Sequence, residues 1–361
     1  MRSRRRLGGA LLTFLLLGAG CHAVLGLEDP TIVVGPDAEA EAAVETDAAG
    51  DAVVDSEVQD APEDAPIVDA GCWADVVLVE NDWMDLLNTP VPQPAAATGV
   101  SNRASYDASV PGEVYDNVTK LTWLVEVDGG KSPVGSQAEA VAACAAKGAR
   151  LPTRMELVTI QNWYPAPNAT VGTDQTFFPD TVDAYYWTSV RTSSNVNWGW
   201  TAHFGPLGFG TVATLDRTMP LNYRCVRGIS PAQPLTHRYA VSTSCNIVRD
   251  LGTRLEWERG RGKAAKYSLA EAHCDALPKH GRNDWRIPTY SELESIVYTN
   301  RENPAIDPLA FETEQGIYWT ASLPGRFPNN RIVVPFSDGQ TTDVRNDAVN
   351  DVWARCVRTM D

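Results

Sequence analysis

The sequence predicts an α+β fold: two tandem modules, each with two helices and irregular short antiparallel strands, each stapled by a disulfide. Three observations carry this reading. First, four unrelated words occur twice in the same order. Asp116-Asn117-Val118-Thr119-Lys120-Leu121-Thr122-Trp123 returns as Asp250-Leu251-Gly252-Thr253-Arg254-Leu255-Glu256-Trp257, and Arg150-Leu151-Pro152-Thr153 with Glu156-Leu157 returns as Arg286-Ile287-Pro288-Thr289 with Glu292-Leu293. Tyr186-Trp187-Thr188-Ser189 is answered by Tyr318-Trp319-Thr320-Ala321-Ser322, and Arg224-Cys225-Val226-Arg227 by Arg355-Cys356-Val357-Arg358. The offset is nearly constant from word to word, which marks two homologous domains rather than one large fold or a solenoid of short repeats. Second, four cysteines fall at matching places in the two copies. Third, each copy shows two helix starts, then short segments broken by Gly, Pro and Asn. The expectation is a pair of globules over 104–229 and 230–361, preceded by an N-terminal extension over 72–103.

The first residues set the compartment. Arg2, Arg4, Arg5 and Arg6 precede a short apolar run from Leu11 to Leu17, the pattern of an export signal over 1–20 and too short to span a bilayer. That run leads into Leu17-Gly18-Ala19-Gly20-Cys21, which resembles a bacterial lipobox, so Cys21 is expected to carry a diacylglycerol. His22 rather than Asp follows the cysteine, which by resemblance to enteric sorting rules points to an outer-membrane lipoprotein. The acyl chains would then be the membrane contact.

Residues 22–71 hold fourteen acidic residues and neither Lys, Arg nor any aromatic residue. Such a stretch buries too little apolar surface to offset the entropy of ordering it, so 21–71 reads as a lipidated cysteine and a self-repelling tether. Of the formal charge of −16, the tether holds −14 and the signal +4, leaving −6 for residues 72–361. A mildly acidic folded region argues against nucleic acid as a partner.

Seven cysteines less one for lipid leave six in a compartment where disulfides persist. The interval from Cys144 to Cys225 is almost the same as that from Cys274 to Cys356, so pairing within each copy is the economical reading. Cys72 and Cys245 have no counterparts in the repeat and are left to pair with each other, joining the extension to the start of the second module. No Cys/His cluster has zinc spacing, and no cofactor or metal is expected. His273 adjoins Cys274, but neighbours on a helix point about 100° apart, against a catalytic dyad.

Within a copy, Leu121–Val125 and Leu255–Trp257 read as strands with Trp on the buried face. The next helix runs from Ser136 to Lys147, with Ser136 as N-cap and Glu139 completing a capping box; in the second copy Ser268 and Glu271 take those places. Gly148 and Gly281 are the expected stops. Pro152 and Pro288 hold the chain extended before Thr153 and Thr289, which cap a second helix with Glu156 and Glu292 three residues on. Leu157 and Ile160, or Leu293, Ile296 and Val297, form its apolar stripe. Trp123, Trp187, Trp257 and Trp319 read as core. Arg150, Glu156 and Arg227, with Arg286, Glu292 and Arg358, read as an internal ion pair tying the helix start to the last strand. Arg254 to Lys263 reads as a solvated, mixed-charge loop.

Those four words together resemble the Lcl C-terminal domain family, over roughly 104–229 and 238–360. The middle and final words are also similar to the C-type-lectin-like and formylglycine-generating-enzyme group, which implies a C-type-lectin-like architecture for each module. The family's namesake is a bacterial surface adhesin whose domain binds glycosaminoglycans, so the resemblance implies ligand binding at a cell surface without catalysis. Sulfated chains need a basic face, which this folded region lacks. A neutral glycan would stack on exposed aromatic rings, and Trp198-Gly199-Trp200 with Asn195, Asn197 and His203 is the candidate surface. The second copy replaces the Trp pair with Asn329-Asn330-Arg331, so the modules should not bind alike. The function expected is an exported, lipid-anchored binding or adhesion protein whose partner is a polysaccharide or an envelope protein. The alternatives are a structural protein–protein module of the envelope and a formylglycine-generating-like oxidase.

Overall fold

The computed structural model describes residues 71–80, 89–94, 102–126, 131–163, 170–205, 211–228, 235–312, 316–324, 327–347 and 351–360. The export signal, Cys21 and the acidic tether lie outside the described residues. Among those described, no helix is long and apolar enough to cross a membrane.

The extension supplies strand β1 (Val77–Glu80). The first module then runs β2 (Tyr106–Asp107), β3 (Glu113–Asp116), β4 (Thr122–Leu124), β5 (Val134–Gly135), α1 (Gln137–Ala146), α2 (Arg154–Thr159), β6 (Tyr185–Arg191), β7 (Trp198–His203), β8 (Val212–Asp216), β9 (Leu221–Asn222) and β10 (Val226–Arg227). The second repeats that order as β11 (His237–Ser242), β12 (Ile247–Asp250), β13 (Leu255–Glu258), β14 (Gly262–Lys263), α3 (Tyr267–Ala276), α4 (Tyr290–Glu294), β15 (Ile317–Trp319), β16 (Asn330–Pro335), β17 (Thr342–Arg345), β18 (Val352–Ala354) and β19 (Val357–Thr359).

Sheet order repeats as well. One sheet is β2-β3-β4-β10 in the first module and β11-β12-β13-β19 in the second; the other is β5-β9-β6-β7-β8 and β14-β18-β15-β16-β17. Among the named strands pairing is antiparallel except at one place in each module, where β6 runs parallel to β9 and β15 to β18. Equivalent side chains do equivalent work. Trp187 donates its indole N–H to the Gly135 carbonyl at 3.0 Å and Trp319 to that of Ala264 at 2.7 Å, while the hydroxyls of Thr188 and Thr320 donate to the carbonyls of Trp200 and Ile332. The repeat therefore aligns Trp198, Gly199 and Trp200 with Asn330, Arg331 and Ile332, one residue later than the alignment by sequence word.

Helix starts follow local chemistry with one exception. Ser136, Thr153 and Thr289 each close a capping box with the glutamate three residues on. The helix in the second copy that was expected to start at Ser268 begins at Tyr267 instead, with Lys266 as N-cap and without a side-chain cap bond. Tertiary contacts override the local signal there: the Tyr267 N–H donates to the Asn346 carbonyl at 3.0 Å and its ring packs edge-on to Trp319. Gly148 follows α1 with φ of 62°, the left-handed conformation that glycine takes without a Cβ penalty. Gly281 is not a stop, because α3 already ends at Leu277, ahead of Pro278.

The four repeated tryptophans have 0% exposure. The repeated charges pair locally. Arg150 grips both Glu156 oxygens at 2.7 Å, and Arg286 does the same to Glu292, so each pair rigidifies its own helix start. The tie to the last strand is made by backbone instead, through bridges Arg150 to Val226 and Arg286 to Val357, while Arg227 and Arg358 pair with Glu113 and Glu256. The 254–263 segment is no solvated loop throughout. All four residues of β13 are buried mid-sheet, with Glu256 held by Arg249 and Arg358.

The disulfides Cys144–Cys225, Cys274–Cys356 and Cys72–Cys245 are formed, and small apolar clusters surround the first two, each inside its own module. The main core, however, is not divided between two separate globules. One continuous apolar cluster contains Trp123, Leu157 and Trp200 of the first module with Trp257, Leu293 and Val297 of the second, and 64–361 forms one compact body. Helices α2 and α4, equivalent in the repeat, meet at its centre. Arg154 sits there at 1% exposure, paired with the carboxylate of Glu294 at 0%, donating also to the Glu294 carbonyl at 3.1 Å and lying over the Trp200 ring. The capping boxes align Arg154 with Tyr290 and Glu294 with Val158, so this pair breaks the internal symmetry and matches one specific face to the other. On the strand side, the Val212 and Thr214 amides donate to Thr341 and Gln340 of the second module.

The start of the extension belongs to the second module, while Gln93 bridges to Arg103 at the start of the first. Strand β1 adds to the edge of β11, Trp73 lies 3.6 Å from the Arg249 guanidinium, and the Asp75 carboxylate accepts from Thr243, Ser244 and Ser242. Those hydrogen bonds lower the Asp75 pKa to about 2.

Candidate functional site

The residues chosen from sequence separate along β7. Trp198 is 41% exposed at its start. Trp200 is 3% exposed in the interface between the modules, so its ring is not offered to a ligand and it leaves the candidate surface. Its aromatic character serves the core, against Arg154. His203 ends the strand five residues from Trp198, roughly 16 Å away at 3.3 Å per residue. There its ring packs against Tyr185 and accepts from the Gly205 amide, and burial pushes its pKa down, opposed by Asp183 at 3.6 Å. Asn195 and Asn197 are exposed in the β6–β7 loop and shape it: Asn195 Oδ1 accepts from the Asn197 amide at 3.0 Å, and the Asn195 carbonyl from the Trp198 amide at 2.9 Å.

At the start of β7 lies an open cleft of about 550 Å³ lined by Ser136, Ala138, Glu139, Asn197, Asp216, Arg217 and Thr218. Two elements far apart in the chain build it, the start of α1 and the end of β8, joined where the Gln137 amide donates to the Arg217 carbonyl. Gln137 is 2% exposed; its Nε2 donates to the Thr188 carbonyl at 2.7 Å and its Oε1 accepts from Arg217. Gly199 makes room for it, since a Cβ there would come within 2.7 Å of Gln137 Nε2. Arg217 donates a further bond to the Val196 carbonyl at 3.1 Å, so its guanidinium is fixed. Both cleft carboxylates are held below their ordinary range by hydrogen bonds, Glu139 by Ser136 and Asp216 by the Thr218 backbone and hydroxyl. The cleft thus offers fixed charges, hydroxyls and an amide, the chemistry of recognising a polar ligand, and exposed Trp198 is next in the chain to its lining residue Asn197.

The second module has the same backbone frame with different side chains. Tyr267 donates to Asn346 as Gln137 does to Arg217, and the Asn346 amide donates to Asn329 as that of Arg217 does to Asn197. Tyr267 fills the place of Gln137 under the Arg331 guanidinium, 4.3 Å from its ring, and Arg345 pairs with Asp347. Asn330 stands where Trp198 does. Of the lining residues, Asp216, Arg217 and Thr218 carried no signal in the sequence, and Ser136 and Glu139 read only as a helix cap. Segments distant in the chain meet here by folding alone.

Among the described residues, two groups of potential metal ligands lie elsewhere: Cys72, Cys245 and His280, and Glu258, His273 and Cys356. All their sulfurs are in disulfides, which lack the thiolate charge that binds a metal. His273 instead bonds Glu258 at 2.9 Å, and that carboxylate raises its pKa.

No curated protein matches the chain. The model of the Lcl C-terminal domain matches twice, over residues 112–227 and 246–358, and each segment falls within one of the two structural repeats. The chain therefore belongs to the Lcl C-terminal domain family, in two tandem copies.

Proposed function

We propose that this is an exported, lipid-anchored adhesion protein of the bacterial envelope, held at the outer membrane through Cys21, that recognises a glycan in the cleft of its first module and performs no catalysis. The observation that carries the reading is the asymmetry of the repeat: the first module has an open polar cleft, with exposed Trp198 next in the chain to its lining residue Asn197, while Tyr267 and Asn330 take the places of Gln137 and Trp198 in the other. A pyranose presents an apolar C–H face that stacks on an indole, and its hydroxyls pair with carboxylates, amides and guanidinium groups. Family membership and three disulfides support an extracellular or envelope location. The module's two sheets, two short helices and long-range staple support a C-type-lectin-like reading of its fold. Glu139 and Asp216 are kept ionised by their donors, which suits binding rather than proton transfer. A formylglycine-generating oxidase would need free thiols, whereas the six described cysteines are bridged.

The test is a glycan array and polysaccharide pull-down with the full chain, Trp198→Ala and Asn330→Ala. Binding lost in Trp198→Ala and kept in Asn330→Ala is expected. Retention by both, or binding to envelope proteins alone, would favour a structural envelope module instead.

A further inference from the structure

The Cys72–Cys245 bridge differs from the other two in a way that bears on chemistry rather than stability. The four cysteines of the intramodule bridges have at most 3% exposure. In the third bridge Cys72 is 2% exposed, but Cys245 is only partly buried, between exposed Ser244 and Asn246 at the tip of the β11–β12 hairpin. Behind the bridge, His280 Nδ1 lies 3.3 Å from Cys72 Sγ. A disulfide sulfur carries no proton, so that contact requires the nitrogen to be the donor. His280 has φ of 43° and Gly281 of 80°, so a left-handed turn aims the ring at the sulfur. The bridge thus has an approachable sulfur on one side and a hydrogen-bond donor on the leaving sulfur at the other.

The geometry points to Cys72–Cys245 as a thiol-exchange site, at which an exported dithiol opens the covalent tie between the N-terminal extension and the second module. In the first step an incoming thiolate attacks Cys245 Sγ, the Sγ–Sγ bond breaks, and Cys72 leaves with the electron pair. The Nδ1–H of His280 donates a hydrogen bond to that sulfur and stabilises the negative charge that develops on it as it leaves. A second thiolate of the same reagent then attacks the mixed disulfide, frees Cys245 and leaves the reagent oxidised by two electrons. Afterwards non-covalent contacts hold the described part of the extension, among them the Asp75 hydrogen bonds, the bond from Ser242 to the Cys72 carbonyl, the Trp73–Arg249 contact and the β1–β11 ladder.

The experiment treats the full chain with glutathione, quenches with acid, alkylates and maps peptides without reduction. Cys72–Cys245 is expected to open first, with the glutathione adduct on Cys245, and His280→Gln is expected to slow opening roughly tenfold or more, as loss of a hydrogen bond to a developing charge does. Opening of all three bridges at one rate, or either intramodule bridge first, would overturn the proposal. So would an adduct on Cys72 or an unchanged rate in His280→Gln. The site of the adduct is read in the unaltered chain and decides even where the variant folds poorly.

Discussion

Replacing Glu294 with Ala should destabilise the whole body, not one module. The substitution strands Arg154 at 1% exposure without its carboxylate, keeping backbone acceptors at 3.1 Å and 3.4 Å. Removing one partner of a buried ion pair typically costs about 3–5 kcal/mol, because the other charge stays desolvated. The two carbonyl acceptors soften this, which places the expectation near ~3 kcal/mol. Replacing both members by apolar residues of similar volume, Arg154→Met with Glu294→Leu, removes the charge as well as its partner and should restore most of the loss. Urea unfolding followed by tryptophan fluorescence reads this directly, since Trp200 lies under Arg154. One cooperative transition is expected, because the main core spans both modules. A single-variant cost below about 1 kcal/mol, or a double variant as unstable as the single, would refute the argument that this pair locks one module to the other.

Three further outcomes concern two asymmetries of the repeat and one bridge that both copies share. Asp250 and its counterpart Asp116 both accept backbone N–H bonds, but Asp250 is also gripped by buried Arg238, whereas burial raises the pKa of Asp116. Asp250→Asn should therefore cost about 3–5 kcal/mol in chemical denaturation, and Asp116→Asn under about 1 kcal/mol near neutral pH. A raised carboxylate favours the folded state most below its unfolded value, so any advantage of Asp116→Asn should shrink as pH falls toward about 4. Because Glu258 raises the His273 pKa, that pair stabilises fully below the ordinary histidine range and fades as pH rises through the folded value; Glu258→Gln should flatten that slope in thermal melts across pH 5–9, and an unchanged slope would exclude the pair as its source. Replacing Cys144 and Cys225 together by Ala should cost about 4 kcal/mol in the chain-entropy model, given the long loop the bridge closes, and a loss under about 1 kcal/mol would contradict it.

Much of this protein could be read before folding was considered. Duplication, the intramodule bridges, the Thr153 and Thr289 caps and the four core tryptophans are each carried by a word of a few residues whose meaning is local or is repeated. Capping boxes close within four residues, and a cysteine repeated at one offset needs only one partner. Where the sequence reading failed, contacts distant in the chain decided. Tyr267 starts α3 ahead of Ser268 because Trp319 and Asn346 receive it. Trp200, indistinguishable from Trp198 in composition and context, is buried because β7 packs it against α2, under Arg154, and against the β16–β17 connection, where it meets Gly339 of the other module. Likewise the cleft exists because folding brings Arg217 to Gln137 from a remote part of the chain, with Gly199 leaving the space. A short motif records what its own backbone needs; which faces are covered is set by what folding brings against them, and that alone separates the exposed Trp from the buried one.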